Sequence, residues 1–251
     1  MQSPLFAHND SQARDRYSLQ NKQMLRVVLE GHDDILARKG TMVAYQGLVE
    51  FDAEYTSNQQ SRARAYTGEG LDLMRCHGQG TVYLANLAQH IHVLDVEHDG
   101  LTVDSGYVLA MDSSLHYEVV AVDSLYGISG SGKYQLNITG HGKVALMTSG
   151  APLLMQVTPD KYVNCDADAI VAWSTGLRVQ MQAQTHSSGV WRRRGNTGEG
   201  WELSFMGSGF ALVQPSELLP PQNAQIGQGL AAQFGMGQQG ARGTNQGNVW
   251  S

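Results

Sequence analysis

The chain has 251 residues and a formal net charge of −6, and only 16% of its residues are charged. This acidic balance argues against non-specific binding to nucleic acid or to anionic lipid, because both attract basic surfaces. Two cysteines are too few for a disulfide framework, so we expect a cytoplasmic protein. The sequence also contains no apolar stretch of the ~18 residues that a membrane-spanning helix needs.

Short apolar or alternating segments, bounded by Gly, Asp or Asn, predict β-strands along most of the chain. The clearest segments are residues 24–29, 42–51, 116–122 and 177–183. The chain also has 29 glycines, which supply the backbone conformations that tight turns need. The pattern predicts an all-β sandwich or barrel of about 15 to 20 strands, closed to protect its edges.

A glycine-punctuated pattern occurs three times. In each copy one Gly-x-Gly pair precedes a short strand, and a second Gly-x-Gly pair precedes another strand. The first pairs of the three copies begin at Gly68, Gly130 and Gly198. A second feature has nearly the same period, because three apolar segments align on Ala44, Ala110 and Ala172. Two independent features with one period indicate a triplicated unit.

Composition divides the chain into three parts. We predict an N-terminal extension over residues 1–19, a triplicated β domain over residues 20–219 and a Gln/Gly-rich flexible tail over residues 220–251. Residues 222–251 contain seven Gln, seven Gly and three Asn but no Lys, Asp or Glu. Such a composition cannot build a core.

The triplicated pattern resembles the family named for altered inheritance of mitochondria protein 24. The resemblance covers residues 20–217 and is carried by the glycine pairs and by residues 40–51, 166–177 and 197–214. It implies three β-sandwich repeats around a pseudo-threefold axis, related to the tryptophan RNA-binding attenuation protein. It also implies an often oligomeric protein without an established enzymatic activity. Some bacterial members lie near tellurium-resistance genes, which associates the family with stress response.

The strongest candidate for metal chemistry is the pair His90 and His92, followed by Glu97. Residues two apart on a strand face the same side, so both imidazoles could approach one divalent metal. His-x-His-x4-Glu is half of the metal signature of cupins, but the second half is missing from this chain. The alternative is the polar face of an edge strand, and on that interpretation no cofactor is expected.

Isolated aromatic side chains are the candidates for partner contacts, because aromatic residues dominate interface energetics. They are Trp191, beside the basic triplet Arg192 to Arg194, and Phe234 and Trp250 in the tail. A single basic triplet does not make a nucleic-acid surface in a chain of this charge, so no nucleic-acid partner is expected.

No nucleophile, base and orienting group can be recognised together in the sequence. We therefore predict a protein that is not an enzyme, a homo-oligomeric scaffold or binding protein whose ligand is unknown. Two alternatives stay open. One is a cupin-like metal-binding enzyme or sensor centred on His90, His92 and Glu97. The other is a membrane-peripheral stress-response protein that uses its tail or an apolar rim to contact a protein or a membrane surface.

Overall fold

The computed structural model describes residues 3–8, 13–54, 72–97, 99–121, 134–183 and 201–216. Within these ranges the chain forms 17 β-strands, two short 3-10 helices and no α-helix, which confirms the all-β prediction. Residues 24–29 and 42–51 lie within strands, residues 116–121 and 178–183 form strands, and residue 122 lies outside the described residues. No helix in the described ranges is long and apolar enough to cross a membrane. The chain divides into two units, residues 1–220 and residues 221–251, and the second unit lies outside the described residues.

The strands follow one another in the order β1 to β17. The N-terminal part contains β1 (Tyr17–Asn21), β2 (Met24–Glu30), β3 (Ile35–Arg38), β4 (Met42–Ala53) and β5 (Leu73–Leu84). The middle contains β6 (His90–Val96), β7 (Leu101–Val103), β8 (Val108–Asp112), β9 (His116–Ala121), β10 (Tyr134–Thr139) and β11 (Gly142–Thr148). The last part contains β12 (Leu153–Val157), β13 (Val163–Asp166), β14 (Ile170–Ser174), β15 (Arg178–Ala183), β16 (Trp201–Met206) and β17 (Gly209–Val213). We call β2–β5, β6–β11 and β12–β17 the first, second and third strand sets.

The same four antiparallel pairings occur in every strand set. In the second set, β11 pairs with β6 and β8, and β10 pairs with β7 and β9. In the third set, β17 pairs with β12 and β14, and β16 pairs with β13 and β15. The first set makes these pairings with fewer, longer strands, because β5 pairs with β2, β3 and the whole of β4. The pairings produce sheets of eight, six and three strands.

Each strand set contains a β-bulge at the same place. The bulges lie at residues 42–44, 108–110 and 170–172, each opposite two consecutive residues of the partner strand. A bulge inserts one extra residue and bends the strand that carries it. The last residues of the three bulges are Ala44, Ala110 and Ala172. The alanine spacing in the sequence therefore corresponds to a backbone feature that occurs three times.

The second glycine pair of each copy also has a recurring conformation. Gly78, Gly140 and Gly207 have φ values of +106°, +112° and +120°. Side chains disfavour this region, and glycine enters it at little cost. Gly140 and Gly207 allow the turns between β10 and β11 and between β16 and β17, whereas Gly78 lies inside the continuous strand β5. The first glycine pairs of the three copies lie outside the described residues.

Pairing between strand sets joins them into larger sheets. β3 of the first set pairs with β8 of the second, with Ala37 opposite Ala110. β7 of the second set pairs with β14 of the third in the equivalent register, with Val103 opposite Ala172. Each junction therefore places one strand of a set beside the bulged strand of the next.

The buried apolar residues form three clusters, and two of them draw on neighbouring sets. The cluster built mainly from the first set also contains Leu109, Ala110 and Ala145 of the second set. The cluster built mainly from the second set also contains Val171, Ala172 and Leu212 of the third set. These two groups of three residues occupy equivalent positions. The buried members of the third cluster all belong to the third set.

Candidate functional site

The most exposed apolar surface in the described residues lies on β4. Residues 42–48 of β4 are all exposed, whereas every residue of the equivalent strands β8 and β14 is buried. Val43 is 51% exposed and Leu48 is 82% exposed. Contiguous apolar surface of this kind marks interaction sites in soluble proteins. We call residues 42–48 the β4 surface.

Three further large apolar side chains are exposed in the third strand set. They are Leu153 and Leu154 on β12 and Tyr162, which immediately precedes β13. Tyr162 is 68% exposed. In the described residues, the only other exposed large hydrophobic side chains outside the β4 surface are Leu19 and Leu87. Within these ranges, the β4 surface therefore has the longest continuous run of exposed residues that includes large apolar side chains.

A polar cavity of about 290 Å³ lies where β6, β8 and β11 meet the segment before β1. Its centre is Asp112, whose side chain is nearly buried. Asp112 Oδ1 accepts hydrogen bonds from Arg16 Nη1 at 2.5 Å and from Tyr17 Oη at 2.9 Å. Asp112 Oδ2 accepts from the backbone N–H of Lys143 at 2.7 Å. Both oxygens are therefore occupied by protein donors, and the carboxylate connects β1 and the residue before it to the second strand set.

This environment changes the ionisation of Tyr17. Burial raises the pKa of the Tyr17 hydroxyl well above its ordinary value, and the adjacent carboxylate of Asp112 raises it further. Tyr17 therefore stays protonated and donates. The other charged groups around the cavity are also paired in part, since Lys143 Nζ forms an ion pair with Asp95. Arg16 Nε is buried without a hydrogen-bond partner and lies 3.9 Å from Asp33 Oδ2.

The structure places His90 and His92 on β6 and Glu97 just after it. The ligand atoms of these three residues do not form a group within 4.8 Å of one another. His92 Nε2 lies 2.9 Å from Thr148 Oγ1, which itself donates to the carbonyl of Gly150 at 2.6 Å. Thr148 therefore accepts, and His92 Nε2 carries the proton. Burial, and then the neighbouring His90, lower the pKa of His92. The metal site stays a prediction.

A different group of possible ligands lies in the turn after β2. Glu30, His32 and Asp33 place one ligand atom each within 4.8 Å of one another, and in the described residues no other group of three does so. Glu30 and His32 are exposed, and His32 Nε2 lies 3.3 Å from Asp33 Oδ2. Exposed acidic turns commonly have this arrangement without an ion.

The three aromatic residues predicted as partner contacts lie outside the described residues. They are Trp191, Phe234 and Trp250. Trp173, by contrast, is buried in β14 with its ring 5.4 Å from that of Phe205. The exposure of the apolar residues on β4 was not predicted from the sequence. These residues have the pattern of a buried strand, and the only available signal was the absence of charge between Met42 and Leu48.

Comparisons with known proteins agree on the fold. A crystal structure of a Streptococcus pyogenes protein, solved by a structural genomics consortium, matches this chain with a TM-score of 0.62. The two sequences are 20% identical, and the match covers 80% of this chain and 92% of the other. No curated protein matches the chain. A family model described as mitochondrial biogenesis AIM24 matches residues 17–216. The chain therefore belongs to the AIM24 family.

Proposed function

We propose that this protein is a non-enzymatic scaffold that assembles from several copies of the chain. Each copy would contain three β-sandwich repeats around a pseudo-threefold axis, an arrangement related to the tryptophan RNA-binding attenuation protein. The recurring strand pairings and bulges support three repeats, and two of the three junctions that such an axis would relate are paired within the described residues. The scaffold would bind its partners through surfaces rather than by converting a substrate.

The observation that carries this proposal is the exposure of the β4 surface. Its residues include Val43, Tyr45 and Leu48, and they leave apolar area in water. Burying such area against another protein is favourable by about 25 cal/mol per Å². An exposed apolar strand edge also tends to pair with another strand, and natural proteins usually prevent this with charges or proline. Residues 42–48 contain neither.

The polar groups support a binding role in a different way. The carboxylate of Asp112 is saturated by protein donors, and the Nε2 proton of His92 points to Thr148. Groups that are held in this way stabilise the fold and are poorly placed to transfer protons. We accordingly propose that the protein acts without catalysis and without a resident metal.

The two cysteines are free, as is usual for proteins in a reducing compartment. Cys76 and Cys165 are free and buried. Burial raises the pKa of Cys76 to about 12 and that of Cys165 to about 11. Thiols held in the protonated form in apolar surroundings are inert. We propose the cytoplasm as the location.

Native mass spectrometry of the full chain tests the scaffold proposal. We expect a discrete oligomer for the unmodified protein and a shift toward monomer for Val43→Glu. Leu19→Glu is the matched control, because Leu19 is an exposed aliphatic residue on β1, outside the β4 surface. A monomer at every concentration would contradict the proposal. So would an oligomer that Val43→Glu and Leu19→Glu weaken to the same extent.

A further inference from the structure

The chain builds the same strand junction twice. β3 pairs with β8, and β7 pairs with β14. In both junctions the second strand of the pair carries the bulge that ends in Ala110 or Ala172. The same interface between one strand set and the next therefore occurs twice, in the same register.

β13 and β4 are the two strands that would form a third junction of this kind. In the described part of the chain, they do not pair with each other. β13 occupies in the third set the position of β3 and β7, and its pairing is with β16. β4 is the bulged strand of the first set, and its pairing is with β5. Each therefore has one edge without a described pairing, and the two edges are of complementary types.

The third buried cluster also lacks a contribution from a neighbouring strand set. Leu109 and Ala110 complete the first cluster, and Val171 and Ala172 complete the second. The equivalent residues for the third cluster are Val43 and Ala44. Both are exposed, and the third cluster contains no residue from the first set. The third cluster therefore lacks the residues of a neighbouring strand set that complete the first two clusters.

We propose that the β4 surface of one copy pairs with β13 of a second copy. The pairing would be antiparallel and in the register of the two junctions within the chain. Ala44 would lie opposite Cys165, Tyr45 opposite Asn164 and Gln46 opposite Val163. This inference rests on the proposed scaffold function and identifies the partner of that surface as the same chain.

The second copy, rather than the same chain, is the occupant that the exposure favours. Val43 is half exposed although its own β13 is present. The antiparallel register also places Tyr162 opposite Gly47, so the exposed side chain of Tyr162 would lie at the β4 surface. Residues 42–48 and 162–165 carry no charge that would oppose the contact. Such a contact joins different surfaces of two copies, so repeated contacts generate a ring where the rotation between copies closes and an open filament where it does not.

Cross-linking between two differently tagged variants tests the register. One protein carries Tyr45→Cys and the other carries Asn164→Cys, at two exposed positions. The native cysteines are both buried. After mixing and subunit exchange, a short bis-maleimide should join the two tags at least five-fold more efficiently than when Leu19→Cys replaces Tyr45→Cys. Because the two cysteines are on different chains, this product reports only contacts between copies.

The outcomes separate this inference from the scaffold proposal. An oligomer in native mass spectrometry whose Tyr45→Cys and Asn164→Cys variants cross-link no better than the Leu19→Cys control overturns the β4–β13 contact and leaves the scaffold in place. A chain that carries both substitutions and cross-links only within itself also overturns the contact between copies. A monomer overturns both proposals.

Discussion

Val43 of β4 is half exposed, whereas Leu109, at the equivalent position of β8, is completely buried. Both are the middle residue of a bulge, and the flanking strands pair in the same way. The difference lies in the neighbour, because β3 lies beside β8 and no described strand lies on the outer edge of β4. One kind of sequence segment therefore has two environments in one chain.

Truncating these two residues should have different consequences. Leu109→Ala leaves a cavity in a packed core and should cost about 2–5 kcal/mol of unfolding free energy at any protein concentration. Val43→Ala should cost about 0.5 kcal/mol or less in dilute protein, and more as the concentration rises, because association links stability to concentration. Urea denaturation across a hundred-fold concentration range measures both. Equal costs in dilute protein would show that Val43 is already buried in the monomer.

Replacing glycines of positive φ by alanine should reduce the stability of the fold to different extents. A Cβ on Gly78 would lie 2.3 Å from the carbonyl oxygen of Leu48, a backbone atom that cannot move aside cheaply. A Cβ on Gly140 would meet nothing closer than Leu115 Cδ2 at 3.5 Å. Both positions have positive φ, so Gly140→Ala should cost about 1–3 kcal/mol through backbone strain alone. Gly78→Ala should cost clearly more.

Thermal unfolding of the two glycine variants, measured side by side, checks this order. Gly40→Ala is the control, because Gly40 has φ +80° and open space around its Cα. It should behave like Gly140→Ala. If Gly78→Ala were no worse than Gly40→Ala, β4 and β5 could not approach each other as closely as the structure has them.

The sequence predicts the local features of this fold well. Glycine supplies the positive φ at Gly78, Gly140 and Gly207, and alternation or apolar runs give the strands. Trp173 follows Ala172 in one of the three aligned apolar segments and is buried. These features depend on neighbours a few residues apart, or on the gross choice between core and surface, which composition and periodicity encode.

The features that the sequence did not reveal depend on distant neighbours. The segment around Ala44 has the same apolar character as the segments around Ala110 and Ala172, and only the strand opposite it in space decides its burial. The proton on His92 Nε2 is likewise held by Thr148, on a different strand. A pair of histidines two residues apart carries no information about such a partner.

The buried carboxylate of Asp112 should be the most sensitive polar position. Asp112→Asn would replace one of its two acceptor oxygens with an NH2 group. That group would face either the backbone N–H of Lys143 or the Arg16 and Tyr17 donors. Losing a charged acceptor that serves three donors should cost about 3 kcal/mol. Urea denaturation measures this loss.

The control for Asp112 is Asp95→Asn. Asp95 also pairs with Lys143, but its side chain is 67% exposed, so the loss should be below about 1 kcal/mol. A small effect at Asp112, equal to that at Asp95, would mean that the three hydrogen bonds do not hold β1 against the second strand set.

His92 should make the stability of the fold depend on pH between about 5 and 8. Burial lowers its pKa in the folded state, so the folded protein resists protonation more than the unfolded chain does. Stability from this group is therefore fully present above the ordinary histidine pKa and is lost as the pH falls through and below it.

His92→Gln keeps a donor for Thr148 and removes the titration. Its urea midpoint should change less than that of the unmodified protein between pH 8 and pH 5. His32→Gln, at an exposed turn position, is the control for replacing a histidine by glutamine. Identical pH profiles for His92→Gln and the unmodified protein would show that His92 does not resist protonation in the folded state.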